Sequence, residues 1–225
     1  MKYLVVIAIC MATGCATLNS RSDTAVSYLD NVKQNFEAGE KAFADKTYDE
    51  AEAYFEHVRS KYPYSQYAVL SDLKLADIYF AQEKWLEAAD AYDFYIRFHP
   101  RHEHVDYAWF QIAKSYFKAI PDDLFVFPRS YLRDQTSTKE ALSAVDRYLA
   151  EFPTHSGVEE AKKMRVELRS QLALRDMKVA QFYVQRKKWR GAKTRFDRVM
   201  ELYPDTEIVK QAAIQSKLSQ AQIEQ

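Results

Sequence analysis

The chain has 225 residues, 32 basic and 32 acidic, with a formal net charge of zero; hydrophobic residues make up 48%, with 4 glycines and 6 prolines. That is ample for a packed core and poor in turns, which suits a helical protein better than a sheet, whose many turns need more breakers. Both cysteines, Cys10 and Cys15, fall at the N-terminus, so a disulfide framework, a thiol nucleophile and a cysteine metal site are excluded from the body, and so few glycines leave little material for a phosphate-cradling loop.

The first element is a processing signal. Lys2 supplies the positive end, Tyr3 to Met11 are almost wholly apolar, and Ala12-Thr13-Gly14-Cys15 are small residues at a cut site. This apolar run is far short of the roughly 20 residues a membrane-spanning helix needs, and no later stretch is comparably apolar. Ala12-Thr13-Gly14-Cys15 resembles the bacterial lipobox, with Ala12 where leucine is usual. The resemblance implies lipidation of Cys15, which anchors the mature chain to a membrane. Ala16 follows it instead of the aspartate that retains lipoproteins at the inner membrane, which favours the outer membrane and its periplasmic face. The alternative is an ordinary secretory signal with an incidental cysteine. The expected organisation is a signal peptide at 1–14, a lipidated linker at 15–22 and one helical domain over 23–225.

Within that domain an alanine lies twelve residues before a proline four times: Ala51 and Pro63, Ala88 and Pro100, Ala141 and Pro153, Ala192 and Pro204. Four residues after each alanine comes a larger apolar residue (Phe55, Tyr92, Val145, Phe196), and a ring precedes each proline (Tyr62, His99, Phe152, Tyr203). These positions share one face of a helix that the proline ends. The pattern matches the second helix of the tetratricopeptide repeat. Twelve residues before these alanines stand Gly39, Ala76 and Ala180, small residues where the first helix of a hairpin must approach closely. Trp109-x₂-Ile112-Ala113-x₂-Tyr116 carries the first-helix signature best, but its small residue is 28 residues before Ala141, so 16 residues are inserted.

The insertion, about 120–137, contains Pro121, Pro128 and the apolar run Leu124-Phe125-Val126-Phe127, and is expected to be a loop that either contacts a partner or folds back on its own repeat. Val158 to Arg190 lacks Gly and Pro and predicts one long helix, about 157 to 186. Asp205 or Thr206 is then expected to cap a final helix. The fold class is all-α, a tetratricopeptide-type helical-hairpin superhelix of about 9–10 helices: four repeats and a partial fifth. Charge is polarised along it. Asp23 to Asp93 holds 15 acidic and 7 basic residues, a net of −8, and Arg175 to Arg198 holds 9 basic and 2 acidic, a net of +7. Such asymmetry can orient a protein against a charged partner.

Motifs for chemistry are missing. His99-x₂-His102-x-His104 has metal-ligand residue types, but His99 occupies the ring position of the repeat, and no metal site is assigned. Asp49, Glu50 and Glu52 at a helix start complement its dipole. Neither G-x-S-x-G, a phosphate loop nor H-E-x-x-H occurs, so no catalytic residue and no cofactor is expected. The run Arg186-Lys187-Lys188-Trp189-Arg190 resembles a nucleic-acid motif only superficially, because Trp189 takes the repeat position of Tyr48 and Trp85 and an exported chain meets no nucleic acid.

Off-pattern residues carry a closer resemblance. Tyr62-Pro63-Tyr64-Ser65, His104-Val105-Asp106-Tyr107-Ala108, Arg133-Asp134-Gln135-Thr136, Val179-Ala180-Gln181-Phe182-Tyr183 and Tyr203-Pro204-Asp205-Thr206, together with the lipobox, make the chain similar to the BamD family of outer-membrane assembly lipoproteins. The resemblance implies a periplasmic scaffold whose N-terminal repeats receive unfolded outer-membrane protein precursors and whose C-terminal repeats dock a POTRA domain of the barrel-forming subunit, beside other assembly lipoproteins. It places Arg195 at that docking surface, with Arg198, Tyr107, Arg133 and Asp134 as further partner-binding candidates. The rival readings are a repeat lipoprotein serving pilus assembly or cell-wall synthesis, and an enzyme using the histidines or a carboxylate pair.

Overall fold

The computed structural model describes residues 26–121 and 134–224. Among them lie nine helices and no strand: α1 (Val32–Ala44), α2 (Tyr48–Lys61), α3 (Gln66–Ala81), α4 (Trp85–Phe98), α5 (Val105–Lys118), α6 (Thr136–Glu151), α7 (Val158–Gln185), α8 (Trp189–Leu202) and α9 (Ile208–Ile223). Each helix packs on its neighbours in the chain, and α1 also touches α3, α5 touches α7 and α7 touches α9. That pattern of hairpins stacked through their first helices is the expected solenoid. Cys15 and the apolar run at 124–127 lie outside the described residues.

The repeated proline acts as anticipated. The residue before it is the C-cap of α2, α4, α6 and α8 (Tyr62, His99, Phe152, Tyr203), and each has φ near −129° with ψ of 49–60°, outside the helical region. Proline forbids its predecessor the α conformation, so the four helices stop at equivalent places.

Three of the four hairpins close through the same turn, whose central residue has positive φ: Lys46 at 61°, Glu83 at 60° and Lys187 at 56°. In each, the N–H of that residue and of the next donate to carbonyls of the closing helix (Phe43 and Ala42, Phe80 and Tyr79, Val184 and Tyr183). This is the left-handed helix end usually given to glycine; here side-chain residues hold it, at a cost of about 1 kcal/mol each.

Four apolar clusters form the interior, and each joins one hairpin to the first helix of the next. Phe36, Ala51, Phe55 and Ile78 centre the first; Ala76, Ala88, Tyr92 and Ala108 the second. Ala113, Ala141, Tyr148 and Ala161 centre the third, and Ala180, Ala192, Phe196 and Ala212 the fourth. The long helix follows from this arithmetic: α7 gives Val158 to Leu168 to the third cluster and Ala173 to Ala180 to the fourth, so one rod serves two repeats. The small residues act as spacers. A Cβ on Gly39 would stand 2.8 Å from the Phe55 ring and one on Gly191 2.6 Å from the Tyr183 ring.

Ahead of α1, residues 26–31 form a short strap held against the first hairpin. Asn35, fully buried, clamps it by accepting from the Leu29 N–H at 2.9 Å and donating to the Leu29 carbonyl at 2.6 Å. Tyr28 stacks on His57 at 4.0 Å, and the hydroxyls of Tyr54 and Tyr62 donate to the carbonyls of Ser27 and Asp30.

At the last helix the expected cap is absent. Thr206 is buried and donates to the Tyr203 carbonyl at 2.9 Å, while Asp205 pairs with Arg169 at 2.7 Å. Glu207 takes the N-cap place without a side-chain bond to the helix. A long-range ion pair with α7 competed successfully for the carboxylate.

Candidate protein-binding surface

The basic end of the molecule is built on α7, α8 and the turn between them. Three of its carboxylates, Asp176, Asp197 and Asp205, are already occupied. Asp197 accepts from Lys193 at 2.6 Å and from the Ser216 hydroxyl at 2.5 Å; burial opposes its charge, but these two donors outweigh burial and hold its carboxyl below the usual range. Asp176 accepts from the Tyr203 hydroxyl at 3.5 Å, and Tyr203 is raised by burial and then by that carboxylate. Asp205 takes Arg169, whose guanidinium also donates to the Leu202 carbonyl at 2.7 Å.

Three arginines of α8, Arg190, Arg195 and Arg198, are left over: among the described residues none has a hydrogen-bond or ion-pair partner through its guanidinium. Arg195 is half-buried and Arg198 exposed. A partly desolvated guanidinium without a counter-charge is suited to bidentate pairing with a partner's carboxylate. Exposed apolar residues lie on the neighbouring elements, Phe182 on α7, Leu202 on α8, and Ile214 and Leu218 on α9.

The other anticipated residues are placed differently. Tyr107 on α5 is half-buried and points its hydroxyl inward, donating to Asp77 Oδ1 at 2.9 Å while accepting from Gln111 at 2.7 Å. Tyr92 donates to the same Asp77 oxygen at 2.6 Å. Burial pushes Tyr107 up to about 12, helped by the Asp77 charge, and raises Asp77 itself, because desolvation exceeds the help of its two tyrosine donors. The sequence reading missed this triad; two tyrosines and an aspartate at otherwise apolar repeat positions were its signal. Asp134 is exposed ahead of α6, where the Thr136 hydroxyl donates to it at 2.7 Å and keeps its carboxyl below the usual range. Arg133 lies outside the described residues. Arg195, Tyr107 and Asp134 stand on three separate elements, with no hydrogen bond or ion pair joining them among the described residues.

The histidines are structural partners of tyrosines. His102 Nδ1 lies 2.6 Å from the Tyr95 hydroxyl, and His155 Nδ1 lies 2.6 Å from the Tyr148 hydroxyl, the same arrangement one repeat on. His99 pairs with Asp72 at 2.9 Å. Among the described residues no group of three His, Cys, Asp or Glu side chains is arranged to hold a metal ion, and no helix is long and apolar enough to cross a membrane.

Helical hairpins stacked on one another, each second helix carrying the alanine-to-proline spacing, define the class: a tetratricopeptide-repeat protein. A solved structure with the same fold is the TPR2AB domain of yeast Sti1 in complex with pHSP90, TM-score 0.52 at 12% identity, covering 85% of this chain and 70% of that one. Residues 30–222 match the model of the YfiO family, described as outer membrane lipoprotein, and the chain belongs to that family. Similar proteins include the outer membrane protein assembly factor BamD of Neisseria meningitidis serogroup B, 25% identical over 94% of this chain and 80% of that protein. The BamD proteins of Vibrio cholerae (26% identical, 70% of this chain, 66% of that protein) and Caulobacter vibrioides (25%, 86% of this chain, 60% of that protein) are others.

Proposed function

We propose that this protein is a periplasm-facing scaffold of the outer-membrane β-barrel assembly machinery, anchored by a lipid on Cys15, that helps insert and assemble proteins in the outer membrane through contacts and without turnover. The observation that carries the reading is the family match over residues 30–222, beside the similarity to relatives named as outer membrane protein assembly factors. The uncommitted guanidiniums of α8 support the finer part. Arg195, with Arg198 beside it, pairs with carboxylates on a POTRA domain of the barrel-forming subunit. Tyr107, Arg133 and Asp134 belong to further contacts with other assembly lipoproteins and with unfolded precursors.

The test is co-purification from detergent-solubilised membranes. Reversing a paired interfacial charge costs at least about 2 kcal/mol, roughly thirtyfold in affinity. Arg195→Glu is therefore expected to strip the barrel-forming subunit from the complex, and Arg195→Lys to retain part of it. Co-purification of Arg195→Glu at the wild-type ratio rejects the docking role; absence of the subunit from the wild-type complex rejects the assembly reading itself.

A further inference from the structure

A cleft of about 330 Å³ opens between α4 and α6, with α5 as its floor. Trp109, Ile112 and Tyr116 form that floor, spaced along one face of α5. Ala89 and Ala144 make its sides apolar, and Asp90, Asp93 and Glu140 stand around it with Arg147.

The preceding repeat has filled the matching place from its own chain. Aligned through Ala51 and Ala88, and through Ala76 and Ala113, Glu52 falls where the cleft has Ala89 and Tyr79 falls where it has Tyr116. There the Tyr79 hydroxyl donates to Glu52 at 3.4 Å. In the cleft the carboxylate has become a methyl group, and among the described residues the Tyr116 hydroxyl has no hydrogen-bond partner. The repeat pattern is kept, and the room is gained by one side chain.

Charge specifies what enters that room. Asp93 is paired with Arg97 at 2.9 Å, but among the described residues Asp90 and Glu140 have no ion-pair partner. Tyr116 registers the local field: its hydroxyl is raised by burial and next by Asp90, Glu140 and Asp93, which outweigh the opposing Arg147. A bare metal ion does not suit the site, because these carboxylates are not grouped closely enough to ligate one. An extended cation does. The Arg147 guanidinium lies 5.6 Å from the Trp109 ring centroid, which shows that this wall accepts a planar cation. The volume is at the small end for ligand pockets and holds one long side chain.

We infer that the cleft over α5 seats an arginine side chain from an extended segment of a protein partner, its guanidinium between Asp90 and Glu140 and its stem against Trp109 and Ile112. Arginine is preferred to lysine because the floor carries Trp109 and Tyr116 and the acceptors stand on two different helices, which matches a planar, multi-donor head group.

The experiment titrates the full chain with N-acetyl-arginine amide while following the indole N–H resonances of its three tryptophans, with N-acetyl-citrulline amide as the uncharged isostere. Saturable binding in the millimolar range is expected, on the order of that of a single side chain, and it moves Trp109 while Trp85 and Trp189 stay in place. The double variant Asp90→Asn, Glu140→Gln alters only exposed positions and weakens binding at least about tenfold. Ala89→Glu, which restores the side chain of the preceding repeat, abolishes it. Equal binding of the citrulline compound, uniform shifts of all three tryptophans, or unchanged affinity in the double variant overturns the inference. The site stands on the cleft alone: its failure leaves the co-purification of the barrel-forming subunit untouched, and failure of that association leaves the titration unaffected.

Discussion

Asp77 offers the sharpest check on how the second repeat is held. Its Oδ1 accepts from Tyr92, whose ring is fully buried, and from half-buried Tyr107. Asp77→Ala leaves both hydroxyls without their acceptor, at about 1–3 kcal/mol for a buried one and less for the other, or roughly 2–4 kcal/mol together. Asp77→Asn keeps an oxygen in the same place and removes the charge. Because burial raises the Asp77 pKa, the folded state binds a proton more tightly than the unfolded chain does. Between the unfolded and folded values the native state carries more protons, so wild-type stability falls as pH rises through that window, and the loss is complete above it. Asparagine does not titrate. Its stability relative to wild type should therefore improve as pH rises above the ordinary carboxylate range of about 4, ending within roughly 1 kcal/mol of wild type or above it. Urea denaturation followed by far-ultraviolet circular dichroism, with Trp85 and Trp109 fluorescence reporting the second and third repeats, measures both variants. Asp77→Asn as damaging as Asp77→Ala at neutral pH, or a difference independent of pH, refutes the desolvation argument.

Other outcomes follow from the hairpin joints. Glycine at the left-handed turns (Lys46→Gly, Glu83→Gly, Lys187→Gly) should stabilise by up to about 1 kcal/mol each, read as higher thermal midpoints; lower midpoints contradict the turn strain. Gly39→Val drives methyl groups into the Phe55 ring and should cost about 1–3 kcal/mol in chemical denaturation. Burial lowers the His102 pKa below its ordinary value of 6.5, so the native state binds the proton less readily and stability falls as pH drops through that range. Replacing it in His102→Gln should flatten that acid limb, and an unchanged pH profile would exclude His102 as its source.

What was legible in the chain was whatever the repeat enforces locally. The alanine-to-proline spacing located four second helices because proline stops a helix wherever it stands, and Gly39, Ala76 and Ala180 marked the close approaches because nothing larger fits there. The reach of α7 followed from an interval without Gly or Pro. The unread features depend on distant partners. Three hairpins turn through left-handed lysine or glutamate, which carry no glycine signal. Asp205 was expected to cap α9, but Arg169, a repeat away, claims it. The cleft over α5 exists because of what Ala89 is not, and only an alignment of Glu52 with Ala89 exposes that. Arg195 was singled out by family resemblance; its lack of a counter-charge is a property of where Asp176, Asp197 and Asp205 happen to find their donors.

The clamped strap ahead of α1 has a mechanical meaning. On the anchoring proposed at Cys15, ten residues lie between the attachment and Val26, a tether that covalent geometry limits to about 40 Å. Any tension on that tether reaches the strap before it reaches a helix. The Asn35 clamp on α1 meets it together with the Tyr28–His57 stack and the two tyrosine hydroxyls on α2 and its C-cap. A solenoid pulled at a bare terminal helix peels from that end; with the pull shared between α1 and α2, the first hairpin moves as one body, and the stack behind it is towed without being unravelled.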